Sequence, residues 1–153
     1  MSRVRVFWLE PTEERQDNYP VYVAVGGGRD GERFTLRGAP PGAMWDATWM
    51  QADQRTGPDG ITLVVRLPNG SDWMVDGECS NCTRTQWGPK EVDGKMCDKV
   101  WLGRTHYCWV RHGDPRTGTI HVDKNGDTCS AGAGSIWIGN YHGFLHNGYL
   151  VPA

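Results

Sequence analysis

Cys79-Ser80-Asn81-Cys82 carries two thiols at the C-x2-C spacing of a zinc knuckle. Such a turn aims both sulfurs at one point, where thiolates hold a zinc ion at about 2.3 Å. Further sulfur and imidazole donors stand at Cys97, His106, Cys108, His112, Cys129 and His142. In an alternating strand His106 and Cys108, two residues apart, share a face. A tetrahedral zinc site of Cys79, Cys82 and Cys108, with either Cys129 or His142 as fourth ligand, is one of two readings. The chain holds a single C-x2-C, so a second reading stays open. In it Cys108 and Cys129 are small buried apolar side chains and Cys79 and Cys82 sit unligated in a loop.

Other chemistries are less well furnished. A redox C-x2-C needs a helix N-terminus to lower the thiol pKa, whereas polar Thr83-Arg84-Thr85-Gln86 follows here. A cysteine nucleophile at Cys108 would draw on His106, His121 and Asp123. Gly132-Ala133-Gly134-Ser135 does not meet the G-x-S-x-G pattern of a nucleophile elbow. Asp72 and Asp76 flank a strand without a glycosidase arrangement. Asp123-Lys124-Asn125-Gly126-Asp127 lacks calcium-loop spacing and reads as a hairpin turn. No catalytic residue is assigned. A zinc-dependent enzyme or a nucleic-acid binder using the cysteines remains an alternative to a non-enzymatic role.

The elements that must position these groups are strands. Residues 3–9 alternate polar and apolar, and Pro11-Thr12-Glu13-Glu14 is expected to end that strand. Residues 20–25 and 32–36 flank a loop with four glycines in six residues, a hairpin pattern. Residues 43–50 are the one helix candidate, with Trp45 and Trp49 on a shared face. Residues 61–67 form the clearest strand, and 72–76 pair back to it across Pro68-Asn69-Gly70. Residues 79–99 read as a long loop. Strands are expected again at 106–111, 118–122 and 134–138, followed by a hairpin around His146-Asn147-Gly148. The sum is a mostly β single domain of short antiparallel strands, a sandwich or rolled sheet, with a zinc-ribbon-like element at Cys79–Cys82.

Eight tryptophans punctuate this pattern. Trp8, Trp73, Trp109 and Trp137 lie in expected strands and are assigned to the core. Trp87 and Trp101 border the loop and are the candidates for an exposed stacking contact.

Length, charge and termini bound the remaining choices. The chain has 153 residues, room for one domain, and a net charge of −2 spread evenly along it. No basic block points to nucleic acid and no apolar stretch of about 18 residues points to a membrane. The N-terminal residues lack the apolar core of a signal peptide, and the cysteine count of five is odd, so a reducing cytoplasm is the expected setting.

The C-terminal half is similar to a known group. Arg111-His112-Gly113-Asp114-Pro115, Ile120-His121-Val122-Asp123, Gly134-Ser135-Ile136 and Tyr141-His142-Gly143-Phe144-Leu145-His146-Asn147-Gly148-Tyr149-Leu150 recur in this order. With Trp73 to Gly77 upstream, they resemble small uncharacterised proteins of tailed bacteriophages, some of which carry a degenerate zinc ribbon. The resemblance spans about residues 40–151, leaving residues 1–38 as additional N-terminal strands and a hairpin ahead of the region from 39 to 153. It implies a phage origin and by itself no activity. For a small domain without a catalytic constellation the expectation is a non-enzymatic accessory protein that binds a protein partner in the host cytoplasm, or else a virion-associated structural or decoration protein.

Overall fold

The computed structural model describes residues 2–50, 56–77, 79, 82, 87–101, 108–123 and 134–153, with the backbone alone at 87, 88 and 99–101. His106, Cys129, the turn expected at 124–126 and the side chains of Trp87 and Trp101 lie outside this description. The fold is mostly β, as expected. Its strands are β1 (Val4–Arg5), β2 (Phe7–Gln16), β3 (Tyr19–Val25), β4 (Arg33–Phe34), β5 (Ala43–Asp46), β6 (Leu63–Arg66) and β7 (Asp72–Met74). They continue with β8 (Trp87–Val92), β9 (Lys95–Trp101), β10 (Val110–His112), β11 (His121–Asp123), β12 (Ile136–Ile138), β13 (Tyr141–His146) and β14 (Tyr149–Pro152). Two short 3-10 turns cover Thr48–Met50 and Pro115–Thr117.

A six-stranded sheet runs in the order β4-β3-β2-β5-β6-β7, and a four-stranded sheet in the order β1-β14-β13-β12. Two-stranded ribbons β10-β11 and β8-β9 complete the set. All pairings are antiparallel except β2 with β5, where Phe7 stands opposite Ala43 and Trp8 opposite Met44. The N-terminal residues are woven through the whole: β1 pairs with β14 at the far end of the chain while β2 joins the larger sheet.

The centre of the six-stranded sheet, residues 7–9 of β2 with β5 and β6, is buried on both faces, which explains its sequence pattern. Trp8, Met44, Leu63, Val65 and Trp73 face one core, shared with Trp109, Ile120, Ile136, Tyr141, Leu145 and Leu150. Phe7, Leu9, Ala43, Trp45 and Val64 face a second core with Tyr22 and Ala24. A strand covered on both sides reads as a continuous apolar run, not an alternation.

That burial overturns the helix expected over 43–50. Met44 and Trp45 point into opposite cores, a period of two, and Trp49 is exposed on the 3-10 turn. Two other expectations also fail. The strand expected to stop at Pro11 continues to Gln16 through a bulge between Pro11 and Arg15, where the Thr12 hydroxyl donates to the Val21 carbonyl. It turns at Asp17-Asn18, both with positive φ, as a tight hairpin requires. The expected loop at 79–99 contains the hairpin β8–β9, turning at Asp93-Gly94 with the same geometry. Trp137, expected in the core, is 72% exposed. The hairpins of β3 with β4, β6 with β7 and β13 with β14 form as expected.

Candidate metal centre

Three contacts link β7 and the residues after it to residues in and just before β10. Trp73 packs edge-on against Trp109 with ring centroids 5.1 Å apart, an arrangement favoured by the ring quadrupoles. The Arg111 side chain meets Asp76 at 3.0 Å. The cysteines make the third contact.

The sulfurs of Cys79, Cys82 and Cys108 all lie within 4.8 Å of one another, with Cys82 and Cys108 3.5 Å apart. Four sulfurs about 2.3 Å from a tetrahedral ion stand roughly 3.8 Å apart along each edge, so the trio already has the dimensions of a thiolate face. The Cys82 amide donates to the Cys79 carbonyl at 3.2 Å, closing the turn that brings the C-x2-C sulfurs together. Cys108 is 1% exposed, and Cys79 and Cys82 pack half-buried against the same core. Burial pushes the Cys108 thiol up to about 11, opposed by hydrogen bonds from the Cys79 backbone and the Cys82 side chain. A soft divalent ion that displaces the proton would supply the counter-charge which the apolar surroundings lack.

Of the five candidate ligands, then, the fold gathers Cys79, Cys82 and Cys108. Cys129 lies outside the described residues. His142 is elsewhere: its Nε2 lies 3.0 Å from the Ser135 hydroxyl and its ring stacks on Trp137 at 4.7 Å. Cys97 stands on β9 opposite Lys90, apart from the trio. His142 and His146 have a spacing that makes ligand pairs on helices, but on strand β13 Phe144 stands between them on the same face.

Two features escape a search by motif. One is an ion cluster in which the Arg111 and Asp76 side chains are buried and Asp59 stands at the rim. Arg111 donates from Nε and Nη2 to Asp76 at 3.0 and 3.1 Å, and from Nη1 and Nη2 to Asp59 at 2.8 Å each. Asp76 also accepts from the Leu63 amide at 2.8 Å. Burial alone would lower the Arg111 pKa, but the two carboxylates outweigh it and hold the guanidinium above its ordinary range. Desolvation raises the Asp76 carboxyl despite its partner. Burial also pushes Asp59 up, yet its hydrogen bonds with Arg111 and the Ile61 amide prevail and leave it lowered. Gly57 makes room for the cluster, since a Cβ there would overlap the guanidinium.

The other feature is a band of rings on the outward face. His142, Phe144 and His146 alternate along β13, and Trp137 stands across from His142. His146 stacks on His121 at 4.5 Å, and His121 faces His112 across the β10-β11 ribbon. The Asp123 carboxylate lies 3.2 Å from His112 Nε2 and 3.5 Å from His121 Nε2.

Comparison with protein-family models, curated proteins and solved structures finds no match. Among the described residues no helix is long and apolar enough to cross a membrane.

Proposed function

We propose that the chain is a non-catalytic binding protein of the tailed-phage type, its β framework clamped by a structural zinc ion on Cys79, Cys82 and Cys108. The observation that carries the metal reading is the gathering of these three sulfurs, brought from two distant segments to within 4.8 Å. An all-sulfur donor set, one member of which is fully buried, matches structural zinc sites, whereas catalytic sites keep a position open to water or substrate. Cys129 is the residue the sequence offers for the fourth position. Binding to a protein partner in the host cell is supported by the resemblance to phage proteins and by the exposed ring surface around Trp137. Aromatic side chains anchored on a rigid sheet are favoured anchors of protein contacts.

Native mass spectrometry before and after chelation tests the metal. One zinc per chain, released by the chelator and absent from Cys108→Ala, is the expected result. A bare-chain mass with all five cysteines reactive under native conditions would refute it. For the binding role, a partner recovered from infected cells with the intact chain should be lost with Trp137→Ala. Recovery of no partner at stoichiometric yield counts against it.

A further inference from the structure

We infer that the Asp76–Arg111–Asp59 cluster, built on the buried Asp76–Arg111 pair, positions the cysteine centre, holding its two halves together before any metal arrives. This rests on the metal reading. Asp76 lies three residues before Cys79, and Arg111 three residues after Cys108. Each ion-pair partner therefore sits about one short turn of chain from the thiols it aligns. The side chains of Arg111 and Asp76 are 3% and 1% exposed, and their two-point contact fixes both distance and orientation.

A buried ion pair contributes little net stability against an apolar replacement, so its best-attested use is to specify register. Here the alternatives it would exclude are arrangements in which the residues around Asp76 and those around Arg111 are offset from one another. Trp73 on Trp109 is an apolar contact tolerant of small slides, whereas a guanidinium fork between two carboxylates is not. Arg111 is held in turn by Asp59, by the Ile61 carbonyl at 3.3 Å and by the space at Gly57. The cluster thus ties the loop 57–61, the approach to Cys79 and the departure from Cys108 to a single cation. Groups that orient metal ligands change affinity without touching the ion, and the cluster would act likewise by fixing the chain on which the cysteines stand.

The test separates positioning from bulk stability. Asp76→Asn is compared with Leu9→Ala, a substitution in the second core on the opposite face of the six-stranded sheet. Zinc affinity is measured by competition with a chromophoric chelator, and cobalt substitution reports thiolate coordination by its absorption. Asp76→Asn should weaken zinc roughly 10–100-fold and alter the cobalt spectrum. Leu9→Ala should lower the thermal midpoint while leaving affinity and spectrum unchanged. If both variants shift affinity alike, or Asp76→Asn shifts nothing, the inference is overturned and the metal reading survives. If the unsubstituted chain takes up neither ion, the metal reading falls and the inference with it. Should Asp76→Asn not fold, Asp59→Asn at the solvent side of the cluster carries the same comparison, with a loss of about tenfold expected and an unchanged affinity overturning the inference.

Discussion

Replacing Arg111 by methionine keeps most of the buried stem and removes the charge. Among the described residues Asp76, 1% exposed, would then retain only the Leu63 amide as a partner, while Asp59 at the rim can turn to water. Leaving one member of a buried ion pair uncompensated costs about 3–5 kcal/mol. At about 2–4 °C per kcal/mol for a chain of this length, the thermal midpoint should fall by roughly 6–20 °C. The loss should also depend on pH. Desolvation already holds the Asp76 carboxyl above its ordinary value, and Arg111 is what opposes that shift. Without Arg111 the folded-state pKa rises further above the unfolded value near 3.9. The folded variant then binds a proton that the unfolded chain does not, so its stability falls as pH rises through that window and recovers on acidification. Urea denaturation at pH 7 and pH 5, with chelator present to hold metal occupancy at zero, measures both effects. A loss below about 1 kcal/mol at pH 7, well under the range for a broken buried pair, would refute the reasoning, as would a loss identical at the two pH values.

Three further outcomes are expected. Trp73→Ala should destabilise by about 3–5 kcal/mol, since it empties the larger core and removes the contact with Trp109, whereas Trp137→Ala on the surface should stay within about 0.5 kcal/mol; equal losses in chemical denaturation would contradict the two burial assignments. Gly94→Ala should cost only the positive-φ penalty of about 1 kcal/mol because nothing crowds its Cβ, while Gly148→Ala should cost more, its Cβ overlapping the Gly118 carbonyl; the reverse order in paired denaturation curves would contradict the turn geometries. Zinc affinity should rise with pH from 6 to 8, because the Cys108 thiol, pushed up to about 11, must release its proton to bind; that residue alone contributes about tenfold per pH unit, and a flat profile in chelator competition would exclude it as a ligand.

The sequence made the hairpins legible where turn chemistry and apolar runs agreed, as at Asn147-Gly148 and in the Leu63–Arg66 strand. It misled where one cue outweighed another. Pro11 looked like a terminator, but a bulge carries the strand past it, with the Thr12 hydroxyl taking over a backbone carbonyl. Asp93-Gly94 is a strong hairpin cue that the scarcity of apolar residues around it obscured. Trp45 and Trp49 have helical spacing, yet the double burial of the six-stranded sheet fixes a strand instead. For the site, spacing identified the C-x2-C pair and residue type identified Cys108. Nothing local could reveal Arg111 and its carboxylates, because Asp76 and Asp59 are 35 and 52 positions away in the chain and only the tertiary fold brings them together.

Why a chain with two apolar cores would hold a metal follows from where the centre lies. Cys82 and Cys108 are 26 positions apart, and between them the chain makes an excursion that includes the β8–β9 ribbon. Among the described residues that ribbon is a separate two-stranded sheet, paired with neither larger sheet. A lone two-stranded hairpin is marginally stable in water, so its order depends on how firmly its base is held. The conformational freedom of an excursion grows with its length, and a cross-link at the base removes it from the unfolded chain. Trp73 on Trp109, Asp76 on Arg111 and the three cysteines all fasten that base. Cys82 and Cys108 lie nearest the excursion in the chain, where a metal ion would restrain it most. Loss of the ion should therefore loosen the ribbon before it disturbs either core. Hydrogen exchange of the chelated chain should show amides at 87–101 losing protection while those of β2, β5 and β6 keep theirs. Uniform loss across all strands would instead place the metal's contribution in the fold as a whole.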